Sequence, residues 1–160
     1  MGCDIHCYVE YQKSDYPGWR DFGGRVNPGR DYFLFGRLAG VRSGPALVEP
    51  RGIPTDLAWA ARDDWLLFIS ESGGEDYVTL AVAMGYAEHG RKIIEQDGRP
   101  TWVEHPDWHT PSWLSVDEFE AALTAESEWP PNDEYWAVLA GMKCLKERGN
   151  EVRIVFWFDN

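Results

Sequence analysis

Residues 3–11 alternate without a break. Cys3, Ile5, Cys7, Val9 and Tyr11 fall on one side of an extended chain, and Asp4, His6, Tyr8 and Glu10 on the other. A period of two marks a strand with one face in a core, here the cysteine face. The chain closes in the same way. From Glu151 to Asp159, Val152, Ile154, Phe156 and Phe158 share one side. Neither strand can bury its apolar face alone, so the two are expected to pair near the centre of one sheet with helices on one face. The fold class this predicts is α+β, a single globular domain over residues 1–160 with a small mixed or antiparallel sheet that includes both terminal strands.

The chain between them supplies the helices. Asp31 reads as an N-cap for a helix to about Val41, with Leu34, Phe35, Leu38 and Val41 on its buried face. Thr55 or Asp56 is placed to cap a second helix through Trp59 to about Trp65. Ser115-Val116-Asp117-Glu118 is a capping box. Asn132 heads a longer helix carrying Tyr135, Trp136, Leu139, Met142 and Leu145, which Gly149 ends. Asp97-Gly98 predicts a hairpin turn between Lys92-Ile93-Ile94 and Thr101-Trp102-Val103. Leu66–Ile69 and Tyr77–Leu80 could be buried strands, but such short apolar runs do not separate strand from helix. Asp15 to Arg30, rich in Gly, Pro and Asp, reads as a long loop pinned by Trp19 and Phe22. No repeat, low-complexity tract or interior linker breaks the chain.

Composition narrows the function classes. Lys and Arg total 15 against 27 Asp and Glu, a net charge of −12. A field of that sign repels phosphate backbones and anionic membranes, so direct nucleic-acid binding is not expected. It suits plain solubility, or mimicry of nucleic acid towards a basic partner. Three sparse cysteines (Cys3, Cys7, Cys144) form no disulfide framework and fit a reducing cytoplasm. No run approaches the ~20 apolar residues of a membrane span, and the start of the chain lacks a signal-peptide pattern. Met1-Gly2-Cys3 is similar to an acylation signal, but His6 stands where myristoylation wants Ser or Thr.

Asp4 and His6 are two residues apart on a strand, hence on one face about 6–7 Å apart. A carboxylate and an imidazole so placed can reach one divalent cation, zinc or manganese. His105-Pro106-Asp107-Trp108-His109 is the best source of further ligands, with Asp107 and His109 preferred over His105. The metal set expected is Asp4, His6, Asp107 and His109. The plainer reading is that an Asp-x-His pair arises by chance and His6 bonds a neighbouring carbonyl. Cys3 and Cys7 lie about 13 Å apart on the same strand and behave as small buried hydrophobes.

Arg30, Arg37, Arg42 and Arg51 fall close together among Tyr32, Phe33 and Phe35. Guanidinium forks beside aromatic rings suit a phosphate or nucleotide. Arg30, Tyr32, Arg51, Arg153 and Trp113 are the ligand-binding candidates, against the alternative that the arginines merely pair with surface acids. Asp4, His6, Arg153 and Asp159 are expected to share a polar edge with Asp107 and His109, in a pocket bordered by tryptophans.

Met1-Gly2-Cys3-Asp4-Ile5-His6, Arg30-Asp31-Tyr32, Leu38-Ala39-Gly40-Val41-Arg42, Arg51-Gly52-Ile53-Pro54 and the closing Val152–Asn160 carry a resemblance. So does Asp107-Trp108-His109-Thr110-Pro111-Ser112-Trp113-Leu114. Together they resemble a family of uncharacterised bacteriophage and prophage proteins that begin with this hexapeptide and end in this nonapeptide. Many members carry a second histidine where this chain has Pro111. The resemblance implies a phage-borne protein in the host cytoplasm, for which countering a host defence is a reasonable role.

Two function classes follow. One is a binder, or a metal-dependent hydrolase, of a nucleotide-like small molecule at the Asp/His site, hydrolysis being natural because a bound cation lowers the pKa of its water. The other is an acidic inhibitor that binds a host protein without catalysis.

Overall fold

The structure, a computed structural model, describes residues 2–160; Met1, first residue of the opening hexapeptide, lies outside them. Backbone contacts divide the chain into two compact units. One runs to Ala61 and resumes over His109–Asn160; the other is Arg62–Trp108. No Pro/Gly-rich linker marks the division, because the second unit is inserted between elements of the first. The class is α+β, with both terminal strands in the first sheet.

In the first unit β1 (Ile5–Lys13) and β8 (Asn150–Phe158) are the central antiparallel pair of a four-stranded sheet, order β2-β1-β8-β7. Its edges are β2 (Tyr16–Val26) and β7 (His109–Ser115). The register is Ile5 opposite Phe158, His6 opposite Trp157 and Glu10 opposite Arg153. Cys3, Ile5, Cys7, Val9, Val152, Ile154, Phe156 and Phe158 face the core. That face is covered by α1 (Tyr32–Ala39), α4 (Val116–Thr124) and α5 (Asp133–Glu147), through Leu34, Phe35, Leu38, Phe119, Leu123, Tyr135, Leu139 and Met142.

Two caps act where the sequence places them, whereas Asn132 heads α5 without a side-chain cap hydrogen bond. Asp31 accepts from the Leu34 amide at 2.9 Å, and Gly40 ends α1 in the left-handed region at φ 71°. Ser115 and Glu118 complete the capping box reciprocally. Trp136, expected inward, is exposed, and Cys144 is exposed too.

Three departures matter. Residues 16–26 form β2 rather than a loop: three glycines at positive φ (Gly18, Gly23, Gly24) and two register shifts let this glycine-rich segment follow β1 as a bulged edge. Trp19 and Phe22 do anchor it: Trp19 lies under the Arg153 guanidinium at 3.9 Å, and Phe22 rests near Gly141 of α5. Residues 109–115 form β7, a strand for which the sequence carries no period-two signal. Finally, β1 is buried on both faces. His6, Tyr8 and Glu10 are as hidden as the cysteine face, and the segment around Asp56–Ala60 bonds onto this second side.

In the second unit, β3 (Leu66–Ile69), β4 (Tyr77–Val78), β5 (Ile93–Gln96) and β6 (Arg99–Glu104) form a sheet of order β4-β3-β6-β5. Asp97 and Gly98 turn the β5–β6 hairpin with φ of 52° and 74°, the doubly left-handed turn that matches strand twist. α2 (Trp59–Trp65) leads into β3, and α3 (Leu80–Glu88) follows β4 behind a Thr79 cap. α2 starts later than Thr55 or Asp56 would place it, since Asp56 is engaged by Arg153 and Trp19. Instead the Asp21 carboxylate accepts from the Ala60 amide.

Candidate functional site

Antiparallel pairing sets the start of β1 beside the end of β8, and polar residues from distant parts of the chain gather there. Asp159 joins the two strands. Its amide donates to the Asp4 carbonyl at 3.2 Å, its Oδ1 accepts from the Asp4 amide at 3.0 Å, and its Oδ2 lies 3.1 Å from His6 Nε2. His6 is 2% exposed and stacks on Trp157, ring centroids 5.8 Å apart. A carboxylate on one imidazole nitrogen fixes the ring's orientation.

The Asp4 carboxylate takes the Arg30 fork in two bonds, Nε to Oδ1 at 2.5 Å and Nη2 to Oδ2 at 2.9 Å. Gly2 permits this: a Cβ there would sit 2.3 Å from Arg30 Nη1. Next to this pair, Tyr32 Oη accepts from the Cys3 amide at 3.3 Å. Arg42 reaches over the Tyr32 ring at 5.9 Å and donates to Asn160 Oδ1 at 3.2 Å. The short turn after α1 that presents Arg42 holds it at φ 68°, a conformation that costs a non-glycine residue on the order of 1 kcal/mol and persists only where the surroundings impose it.

The electrostatics follow from these contacts. The Arg30 hydrogen bonds hold the Asp4 carboxyl below the usual carboxylate range. Burial pushes the Cys3 thiol up against the pull of Arg42, and pushes Cys7 up to about 12. Neither thiol is therefore a ready nucleophile at neutral pH. What the site offers is the Arg42 guanidinium over the Tyr32 ring and the Arg30 fork on the Asp4 carboxylate, with an oriented imidazole alongside. Such a set suits an anionic, ring-bearing ligand.

The remaining sequence candidates lie elsewhere. His109 pairs with Phe158 and stacks on it, so it projects from the core face, whereas His6 projects with Trp157 from the other. One cation cannot bridge the two across the sheet. Asp107 belongs to the second unit, where its amide donates to His105 Nδ1 and His105 stacks on Trp108 at 3.9 Å. Among the described residues, no three His, Cys, Asp or Glu side chains are grouped to hold a metal ion. Arg153 lies four residues along the strand pair from the site, about 13 Å by strand rise, and is bonded to Glu10 and Asp56. Arg37 donates to the Ala125 carbonyl. Of the four clustered arginines only Arg30 and Arg42 reach the site. The sequence marks Arg30 as a ligand-binding candidate but Arg42 only as a member of the arginine cluster, while Arg51 and Arg153, also marked, are engaged by Glu118 and Glu10.

Arg51 is a clamp. It lies over Trp113 at 4.3 Å and takes both oxygens of Glu118, while its amide donates to Ser112 Oγ. Chiefly through the Arg51 bonds, the Glu118 carboxyl is held down to about 2, from an ordinary 4.5. A depressed native pKa stabilises the fold at pH above the unfolded value and loses that contribution as pH falls from about 4.5 towards 2. Both side chains are nearly a third exposed, so solvent screening limits the effect to about 1 kcal/mol. Glu118→Gln should therefore flatten the acid limb of stability against pH by about that amount. Urea midpoints between pH 2 and 7 would show it, and an unchanged limb would mean the clamp does not persist in solution.

No family model, curated protein or solved structure matches the chain.

Proposed function

We propose that this protein binds a nucleotide-like small molecule at the junction of β1 and β8. The observation that carries the reading is the Arg42 guanidinium over the Tyr32 ring beside the Arg30 fork on Asp4, two partly exposed guanidiniums on a chain of net charge −12. A phosphate would take the forks and a base would lie against the ring, with Asp4 giving up Arg30 as the ligand arrives. If a divalent cation takes part, His6 and Asp159 are its nearest donors, with Asp4 joining once released. Hydrolysis would then follow from the lowered pKa of bound water. In the phage-borne setting that the resemblance implies, such a protein would sequester or destroy a host signalling nucleotide.

Calorimetry against mono-, di- and cyclic nucleotides, with and without Mn²⁺ or Zn²⁺, tests this. The Arg30→Ala and Arg42→Ala variants should each weaken binding at least about tenfold, the loss of one charge-assisted contact of ~1.4 kcal/mol or more. Metal analysis of the wild type beside Asp4→Ala/His6→Ala reports on the cation. Absence of binding across the panel, or binding indifferent to both arginines, refutes the reading.

A second reading, capture of a basic host protein, is favoured by one feature. Phe33 and Trp129 stack while remaining 48% and 60% exposed, beside the acidic stretch Glu126–Glu128. It predicts a partner complex that weakens steeply with salt and survives loss of Arg30 and Arg42.

A further inference from the structure

The sheet of the second unit carries an aromatic row on one face. Tyr77 of β4 lies opposite Phe68 of β3, and Phe68 lies opposite Trp102 of β6. Cross-strand partners share a face, so the three rings stand side by side, with Ile94 of β5 next to Trp102. Ring centroids are 5.8 Å apart between Phe68 and Tyr77 and 6.3 Å between Phe68 and Trp102, with planes at 86° and 74°. The opposite face carries Val103, fully buried, and α3 packs against β5 and β6. The aromatic face is open by comparison: Phe68 is 40% and Tyr77 50% exposed.

The row already holds one cation. The Arg62 guanidinium lies over the Trp102 ring at 4.3 Å, inside the ~6 Å within which a ring face attracts a positive charge. The Tyr77 end is furnished for a second. The turn before Tyr77 is tied by Ser70, whose Oγ accepts from the Gly73 amide at 3.2 Å and whose amide donates to the Val78 carbonyl at 2.9 Å. Glu75 and Asp76 adjoin Tyr77 in this turn, and Glu71 follows Ser70. All three carboxylates are exposed, and none is in an ion pair with a described residue.

Charge and shape together select the occupant. Residues 62–108 hold ten Asp or Glu against four Lys or Arg. That field draws in cations and turns away phosphates and further copies of this chain. An arginine side chain uses both features of the surface, its flat face against a ring and its fork on a carboxylate.

We propose that the Tyr77 end of this row docks an arginine side chain of a basic protein segment, its plane against the Tyr77 ring and its fork on the neighbouring carboxylates. The surface shares no residue with the β1–β8 junction or with the Phe33–Trp129 pair.

Calorimetry at low salt with an arginine–glycine repeat peptide, and with a lysine–glycine peptide of equal length, tests this. The arginine peptide should bind at least about threefold tighter, because an ammonium offers no planar fork. Tyr77→Ala should weaken the arginine complex about threefold to tenfold, the loss of one cation–ring contact, whereas Tyr77→Phe keeps the ring and should bind like wild type. Glu75→Gln with Asp76→Asn, both at exposed unpaired side chains, should weaken it about tenfold. Circular dichroism checks each fold. Equal binding of the two peptides would mean that a diffuse acidic field attracts them, and overturns the inference. So does a wild type that binds neither peptide, or an arginine complex indifferent to Tyr77→Ala. If that indifferent complex is lost with Trp129→Ala, the peptide sits on the Phe33–Trp129 surface, and the second reading above stands without this one.

Discussion

Replacing Gly36 by alanine is expected to destabilise the protein by about 3 kcal/mol or more, although the substitution looks favourable on local grounds. Gly36 lies inside α1, where alanine is preferred over glycine by about 1 kcal/mol. Tertiary contact decides otherwise. The turn after α1 folds back so that the Ser43 carbonyl oxygen would sit 1.3 Å from the new Cβ, and the carbonyl carbon 2.5 Å from it. These are backbone atoms and cannot swing aside, so either α1 or the turn must move. The turn also delivers Arg42 to the candidate site, so whatever ligand binding depends on Arg42 should fall along with stability. Gly85→Ala in α3 is the internal comparison: with nothing within 4 Å of its Cβ, it should gain up to about 1 kcal/mol. Urea denaturation of the two variants side by side is the measurement. A Gly36→Ala protein as stable as wild type would mean that the turn does not pack on α1 as described.

The second large effect concerns the covered face of the first sheet. Glu10 is 0% exposed and Arg153 6%. They are bonded at 2.7 Å, with the Ala58 amide on the other Glu10 oxygen at 2.8 Å and Trp19 stacked on the guanidinium. Removing Arg153 leaves the buried Glu10 carboxylate without its counterion, whereas removing Glu10 leaves Arg153 still paired with Asp56. Arg153→Met should therefore cost about 3–5 kcal/mol, and Glu10→Ala less. Glu10→Leu with Arg153→Met removes both charges. It should cost far less than the sum of the single effects, leaving mainly the unpartnered Ala58 amide at about 1–3 kcal/mol. Additivity of the single and double changes would show that the pair is not coupled.

The pair also has a pH signature. Burial pushes the Glu10 carboxyl above the usual glutamate range, against the pull of Arg153 and the Ala58 amide. Without Arg153 it should rise further. A carboxyl raised in the folded state costs stability at pH above its unfolded value, and the cost is relieved as pH falls. Arg153→Met should accordingly be less destabilised near pH 5 than near pH 8, opposite in sense to the behaviour expected around Glu118. Both pairs are glutamate–arginine; burial separates them.

Much of the first unit was legible in the residue pattern because it rests on local rules. Period-two alternation identified β1 and β8, the need to bury two apolar faces paired them, and the Asp31 and Ser115 caps follow from short-range hydrogen bonding. These signals act within a few residues of one another and survive without a tertiary frame. The same holds for the Asp97-Gly98 turn, whose backbone conformation is a property of those two residues.

What the tertiary structure alone decided is which long-range neighbours each polar residue has. Alternation put Asp4, His6 and Glu10 on one face and suggested that this face was wet, yet His6 and Glu10 are both buried, and the chain around Asp56–Ala60 bonds onto Glu10 and Arg153. His109 was a natural companion for His6 by residue type. The bulge at Thr110 and Pro111, with Thr110 at φ 49°, sets its ring on the opposite face. Four arginines close in sequence went to different partners: Arg30 to Asp4, Arg37 to a helix-end carbonyl, Arg42 to Tyr32 and Asn160, and Arg51 to Glu118. A side chain's type and spacing determine what it can bond, but the sheet register and the path of the covering segments determine what it meets.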